Sequence, residues 1–226
     1  MGARNHIEQR LGLVYLVGIL LLACVLWAWA ADVRAADHFA GAGKMGAIPH
    51  DATRYRVDLT RSARLVWGLE APVATFAAQI HQESAWRADA RSQVGARGLA
   101  QFMPATERWI AGVYPRELGE GGALNPTWAL RALARYDRWI WERVPNSNPP
   151  QPPFDKGGSG CARMADALRG YNGGLGYVQR EARTGQPCEA FRSAASCREN
   201  LDYPRRILGL YEPIYINAGW GNGSCA

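Results

Sequence analysis

The chain is expected to fold as a mostly α-helical domain behind an N-terminal hydrophobic segment. Apolar residues recur at helical spacing in several segments, prolines stand where helices start, and no segment alternates as a half-buried strand does. Composition agrees, since 48% of the 226 residues are hydrophobic and 20% charged, enough for a buried core.

The leader comes first. "MGARNHIEQR" carries Arg4 and Arg10, and residues 11–30 hold no charge. Residues 1–31 read as a signal peptide or signal anchor rather than as part of the fold. Ala28-Trp29-Ala30 is a small-x-small cleavage pattern, about 20 apolar residues suffice to span a bilayer, and "LLAC" ending at Cys24 loosely resembles a lipidation site. Each of the three readings exports the domain behind the leader, with anchoring favoured over cleavage. Residues 32–54 are small, glycine-rich and aperiodic, a tether, and the globular domain is assigned to 55–226.

Within that domain "VDLTRSARLVWGLE" and "PVATFAAQIHQES" read as successive helices, with Pro72 at the start of the second. "PATERWIAGVY" opens another after Pro104. "NPTWALRALARYDRWIWERV" carries Asn125 as cap and Pro126 as first helical residue. The segment "PNSNPPQPPFDKGGSG" interrupts the pattern as a surface loop, resembling an insertion. "CARMADALRGYN" resumes helix, and "ENLDYPRRILGLYEPIY" forms a last one, kinked or started at Pro204.

Charge and cysteines narrow the partners. The net charge is +6, from 26 basic and 20 acidic residues, which favours anionic partners such as an acidic wall polymer or a membrane surface. The basic residues are scattered rather than clustered, which argues against nucleic acid. Besides Cys24, the cysteines are Cys161, Cys188, Cys197 and Cys225, an even count that suits two disulfides in an exported domain. Cys188 and Cys197 are near enough in sequence to clip one loop, which leaves Cys161 with Cys225; free thiols are the alternative. Without a CxxC pair and with only four histidines, no metal site or cofactor is expected.

One carboxylate stands out. On a helix from 73 to 84, Val73, Phe76, Ala77 and Ile80 make an apolar stripe that Ser84 extends, and Glu83 lies at its border, roughly 70° from the centre. A carboxyl group withdrawn from water there keeps its proton to higher pH, the state a general acid needs. By itself this glutamate reads more readily as a solvated helix-end charge. Its neighbours alter that: "GARGLAQFMP" places Gly95 and Gly98 three apart, where bare backbone permits close approach to a ligand. Gln101 offers a donor and an acceptor, and "RGYNGG" ends a helix with Tyr171, whose hydroxyl can orient Glu83, and Asn172, which can hold an acetamido group. Asp89 and Asp202 are candidate second carboxylates, each more readily a cap or a solvated charge. His81 packs or caps, and Trp128, Trp139 and Trp141 at helical spacing belong to the core or face a partner.

The order ES, then GxxGLxQxxP, then YNxG, then a tyrosine before a final helix resembles the lytic transglycosylases of the soluble-lytic-murein type, over roughly residues 57–216. The resemblance implies a lysozyme-like fold and non-hydrolytic cleavage of the MurNAc–GlcNAc bond of peptidoglycan, with Glu83 as single acid/base. It further implies that Ser84, Gly98, Gln101, Met103, Tyr171, Asn172 and Tyr203 line the glycan cleft. "GLAQ" departs from the commoner GLMQ and "GYNGG" from AYNAG, which bears on subsite detail. The chain is then an exported enzyme whose partners are glycan strands, the membrane through residues 11–30, and a secretion or lysis machinery. A hydrolytic muramidase using Glu83 with an aspartate and a non-catalytic wall-binding protein are the alternatives.

Overall fold

The computed structural model describes residues 47–145, 158–186, 188, 191 and 193–225. The leader, the tether as far as residue 46 and most of the proline-rich segment lie outside the described residues. Among those described, no helix is long and apolar enough to cross a membrane.

Helix α1 spans Ala52–Trp67, so residues 52–54, read as the end of a tether, form its first turn. Gly68, at φ 82°, terminates it. Helix α2, Val73–Ser84, follows directly after Pro72. The sequence predicts one apolar stripe on α2, but all eight residues from Val73 to Ile80 are buried. The helix is wrapped: α1 packs on one side, and the C-terminal π-helical segment and last helix on others. Its alanines leave room for those neighbours to close in.

After α2 the chain makes a glycine-punctuated turn. Then come α3 (Pro104–Val113), the single turn α4 (Pro115–Leu118) and α5 (Pro126–Trp141). Asn125 caps α5 as expected, its side chain accepting from the Trp128 backbone N–H at 3.1 Å. α5 lies across α1 and carries Trp128, Leu130, Leu133 and Ile140 into the core.

Helix α6 runs Gly158–Gly173 and packs on α5. Gly174, at φ 100°, breaks the chain, and a helix not expected from the sequence begins at once: α7, Leu175–Thr184. The glycine run signalled a stop but gave no sign of this immediate restart. The last predicted helix is three consecutive elements: α8 (Ala194–Pro204), a π-helical segment (Arg205–Tyr211) and α9 (Glu212–Asn217). Pro204 lacks the N–H that an α-helix would use there, and the widened turn begins at the next residue.

No strand forms among the described residues; isolated bridges pair Arg97 with Arg91 and with Phe102. Cys161 is joined to Cys225 and Cys188 to Cys197. The C-terminal residues are held again by buried Glu212, which accepts from the backbone N–H groups of Ser224 and Cys225, each at 3.1 Å.

Candidate active site

Glu83 sits in the last turn of α2, whose end is set by Ala85 and Trp86 in the left-handed region (φ 49° and 66°). Its carboxyl keeps some solvent access, yet burial raises its pKa from 4.5 to about 7. The Tyr203 hydroxyl donates to Glu83 Oε1 and pulls the pKa partly back, while the charge of Glu199 pushes it up. Near neutral pH the group therefore divides between acid and carboxylate. This is the balance a residue needs to give a proton and take one back.

The tyrosine whose hydroxyl bonds to Glu83 is Tyr203, from the end of α8; Tyr171, to which the sequence gives that bond, lies near enough for the charge of Glu83 to raise its pKa but bonds elsewhere. Tyr171 donates instead to the Ala100 carbonyl at 2.7 Å, and so ties α6 to the turn after α2. Its ring meets Phe102 edge-on at 5.9 Å and Tyr136 at 5.1 Å. Burial raises the pKa of both Tyr171 and Tyr203, so both hydroxyls stay protonated and serve as donors.

Ser84 is buried, and its hydroxyl donates to the Leu99 carbonyl at 2.8 Å. It thereby fastens the 95–103 turn to the residue adjoining Glu83. Gly98, at φ 76°, makes a close approach within the protein: a Cβ there would lie 1.7 Å from the Ala123 carbonyl oxygen. Gln101, itself at φ 47°, donates from Nε2 to the Gly98 carbonyl at 2.9 Å and to Ala90 at 3.3 Å. Met103 is exposed at the start of α3. Asn172 is exposed at the end of α6, its Oδ1 accepting from Asn200 Nδ2 at 3.2 Å.

The turn is thus internally braced by Ser84, Gly98, Gln101 and Tyr171. His81 packs as expected, stacked on Tyr211 at 4.3 Å between centroids. Asp89 is exposed and Asp202 pairs with Arg205 at 3.1 Å, so neither candidate second carboxylate is drawn to Glu83.

Sequence reasoning missed Asp137. It is fully buried on α5, where burial first and the charge of Glu83 in addition raise its pKa, and Gln79 of α2 donates to its Oδ1 at 3.3 Å. A signal was present: Asp137 stands four residues after Leu133 and three before Ile140, on the apolar stripe of its helix. An aspartate in that register is buried or the helix faces the wrong way.

The chain is similar to several known proteins. Membrane-bound lytic murein transglycosylase F of Shewanella pealeana is 28% identical over 182 residues, 80% of this chain and 31% of that protein. Its counterpart in Shewanella halifaxensis is 32% identical over 111 residues, 49% of this chain and 20% of that protein. The chain thus spans less than a third of these relatives' length. Among solved structures, the 70 kDa soluble lytic transglycosylase of Escherichia coli matches with a TM-score of 0.54 at 20% identity, covering 76% of this chain and 25% of that one. An inactive glutamate-to-glutamine mutant of the lytic transglycosylase Slt from Pseudomonas aeruginosa matches with 0.50 at 22%, covering the same shares. At these identities the likeness carries the fold, and the expectation of a mostly helical, lysozyme-like domain holds. The profile of the family described as Transglycosylase SLT domain matches residues 64–189, more than half of the chain, and the chain belongs to that family.

Proposed function

We propose that the protein is a peptidoglycan lytic transglycosylase that cleaves the β-1,4 bond between MurNAc and GlcNAc without consuming water. Glu83 acts alone as acid and then base. Protonated Glu83 gives its proton to the glycosidic oxygen as the bond to muramyl C1 breaks. The carboxylate so formed takes the proton of the muramyl C6 hydroxyl, whose oxygen closes on C1. The product carries a 1,6-anhydroMurNAc end, and Glu83 returns to its starting state.

The observation that carries this reading is the environment of Glu83: a carboxyl withdrawn from water, with a pKa near 7, held by a tyrosine that donates to it. Tyr203 steadies the ionised intermediate state, and the braced 95–103 turn with Gln101 and Met103 offers the adjoining glycan surface. A second carboxyl group lies near Glu83 in the core, but Asp137 is inaccessible to solvent, which favours ring closure over a two-carboxylate hydrolysis. The net charge of +6 suits an acidic wall polymer. An apolar stretch at residues 11–30 and relatives named as membrane-bound support a reading in which the domain works in the periplasm beside the membrane, with a secretion or lysis machinery as the proposed partner.

Mass spectrometry of products from purified glycan strands tests the reading. Wild type yields ends that borohydride does not reduce, and Glu83→Gln loses at least about a hundredfold in rate, within the range for a missing acid/base. Reducible muramic ends identify a hydrolase instead, and undiminished turnover by Glu83→Gln removes this residue from the chemistry.

A further inference from the structure

Behind Glu83 lies a second acid that the proposed reaction does not use. Gln79 stands one helical turn before Glu83 on α2, and Asp137 faces it from α5. Both are wholly inaccessible to solvent. Gln79 Nε2 donates to Asp137 Oδ1 at 3.3 Å, but Gln79 Oε1 and Asp137 Oδ2 have no hydrogen-bond partner among the described residues. Buried polar atoms are almost always paired, so two orphaned oxygens on two groups already in contact call for an explanation.

If Asp137 were a carboxylate, both orphans would be acceptors, and neither could satisfy the other. One proton on Oδ2 changes that, because an acid and an amide can exchange two hydrogen bonds in a closed ring, Nε2–H to Oδ1 and Oδ2–H to Oε1. The surroundings agree. The titratable groups facing Asp137 are Glu83 from α2, its neighbour Tyr136, Tyr171 from α6 and Tyr203 from α8. Glu199 of α8 adds negative charge near Glu83. None of the salt bridges among the described residues reaches Asp137. Burial without a cation favours the neutral acid.

We propose that Asp137 is held as an uncharged carboxylic acid, doubly hydrogen-bonded to Gln79, and that this neutral pair positions Glu83 while leaving it free to ionise. The proposal rests on the reading of Glu83 as the acid/base. Glu83 must carry a negative charge halfway through the reaction, and an ionised Asp137 in the same low-dielectric interior would oppose it. The pair also fastens the last turns of α2 to α5. Asp137 touches no substrate and acts only through Glu83.

Infrared spectroscopy of the full chain labelled with carboxyl-13C aspartate at pH 7.5 tests the protonation state without reference to activity. Asp166, which burial raises to about 6, is ionised at that pH. A labelled protonated-acid C=O stretch is expected, and it disappears in Asp137→Asn. Carboxylate bands alone in the wild type overturn the proposal, whether or not any variant folds. In the pH profile of glycan cleavage, Asp137→Asn keeps the alkaline midpoint within about 0.3 unit of wild type. A fall of about one unit or more shows that Asp137 was charged and sinks the idea. For positioning, Asp137→Leu lowers kcat about tenfold at nearly constant KM, and the asparagine, able to close the same ring, recovers most of that loss. Equal losses in the two variants overturn the positioning role. Glu83→Gln activity decides the acid/base reading separately.

Discussion

The hydroxyl of Tyr203 donates to the carboxyl of Glu83 across 120 residues of sequence, and it joins the end of α8 to the end of α2. This bond stabilises the ionised carboxylate against the burial that opposes it. Tyr203→Phe therefore raises the Glu83 pKa above its value of about 7. The alkaline limb of the activity profile moves to higher pH by about one to two units, equivalent to a charge-assisted hydrogen bond, and kcat falls. A shift to lower pH in the variant contradicts this account of the bond.

Burying Glu83 costs the fold stability once the carboxyl ionises. Its folded pKa, about 7, exceeds the ordinary value of 4.5, so the native state holds the proton more tightly than the unfolded chain. Its contribution is intact below 4.5 and is lost as the pH rises through 7. Glu83→Gln does not titrate, so at pH 8 it is more stable than wild type by up to about 3 kcal/mol, while at pH 4 the two agree. Denaturant unfolding at both pH values measures the difference. A variant that is equally stable or weaker at pH 8 contradicts the buried-acid description.

Gly98→Ala is expected to disrupt the turn. The added Cβ meets the Ala123 carbonyl oxygen at 1.7 Å, on backbone already at φ 76°. The loss exceeds about 1 kcal/mol and displaces Gln101 and the Leu99 carbonyl that Ser84 holds. Gly95→Ala, strained by its φ of 91° but meeting nothing within 4 Å, loses less. Thermal unfolding and glycan cleavage of the two variants rank them, and the reverse order is inconsistent with this packing.

The bond between Cys161 and Cys225 closes 64 residues and holds the C-terminal tail against α6. Replacing both cysteines with serine lowers stability by about 2–4 kcal/mol under oxidising conditions. Reductant lowers wild-type stability but has less effect on the double variant, which keeps only Cys188–Cys197. Equal sensitivity to reductant in both proteins argues against this pairing.

Much of the fold was legible because helices are coded locally. Pro104 and Pro126 start helices, Asn125 caps one, and apolar spacing fixes their faces; α7 escaped because nothing local marks a restart so soon after Gly174. The sequence by itself determined where Glu83 stands, at the end of a mostly apolar helix followed by a glycine-punctuated turn. Only the tertiary structure decided which tyrosine bonds to Glu83, that Ser84 and Gly98 serve the turn from inside, and that Asp137 lies behind it. Helix phase says which residues face inward, but not which residues of another helix they meet. That pairing depends on how α2, α5, α6 and α8 cross, and the crossing is set by packing across more than a hundred residues.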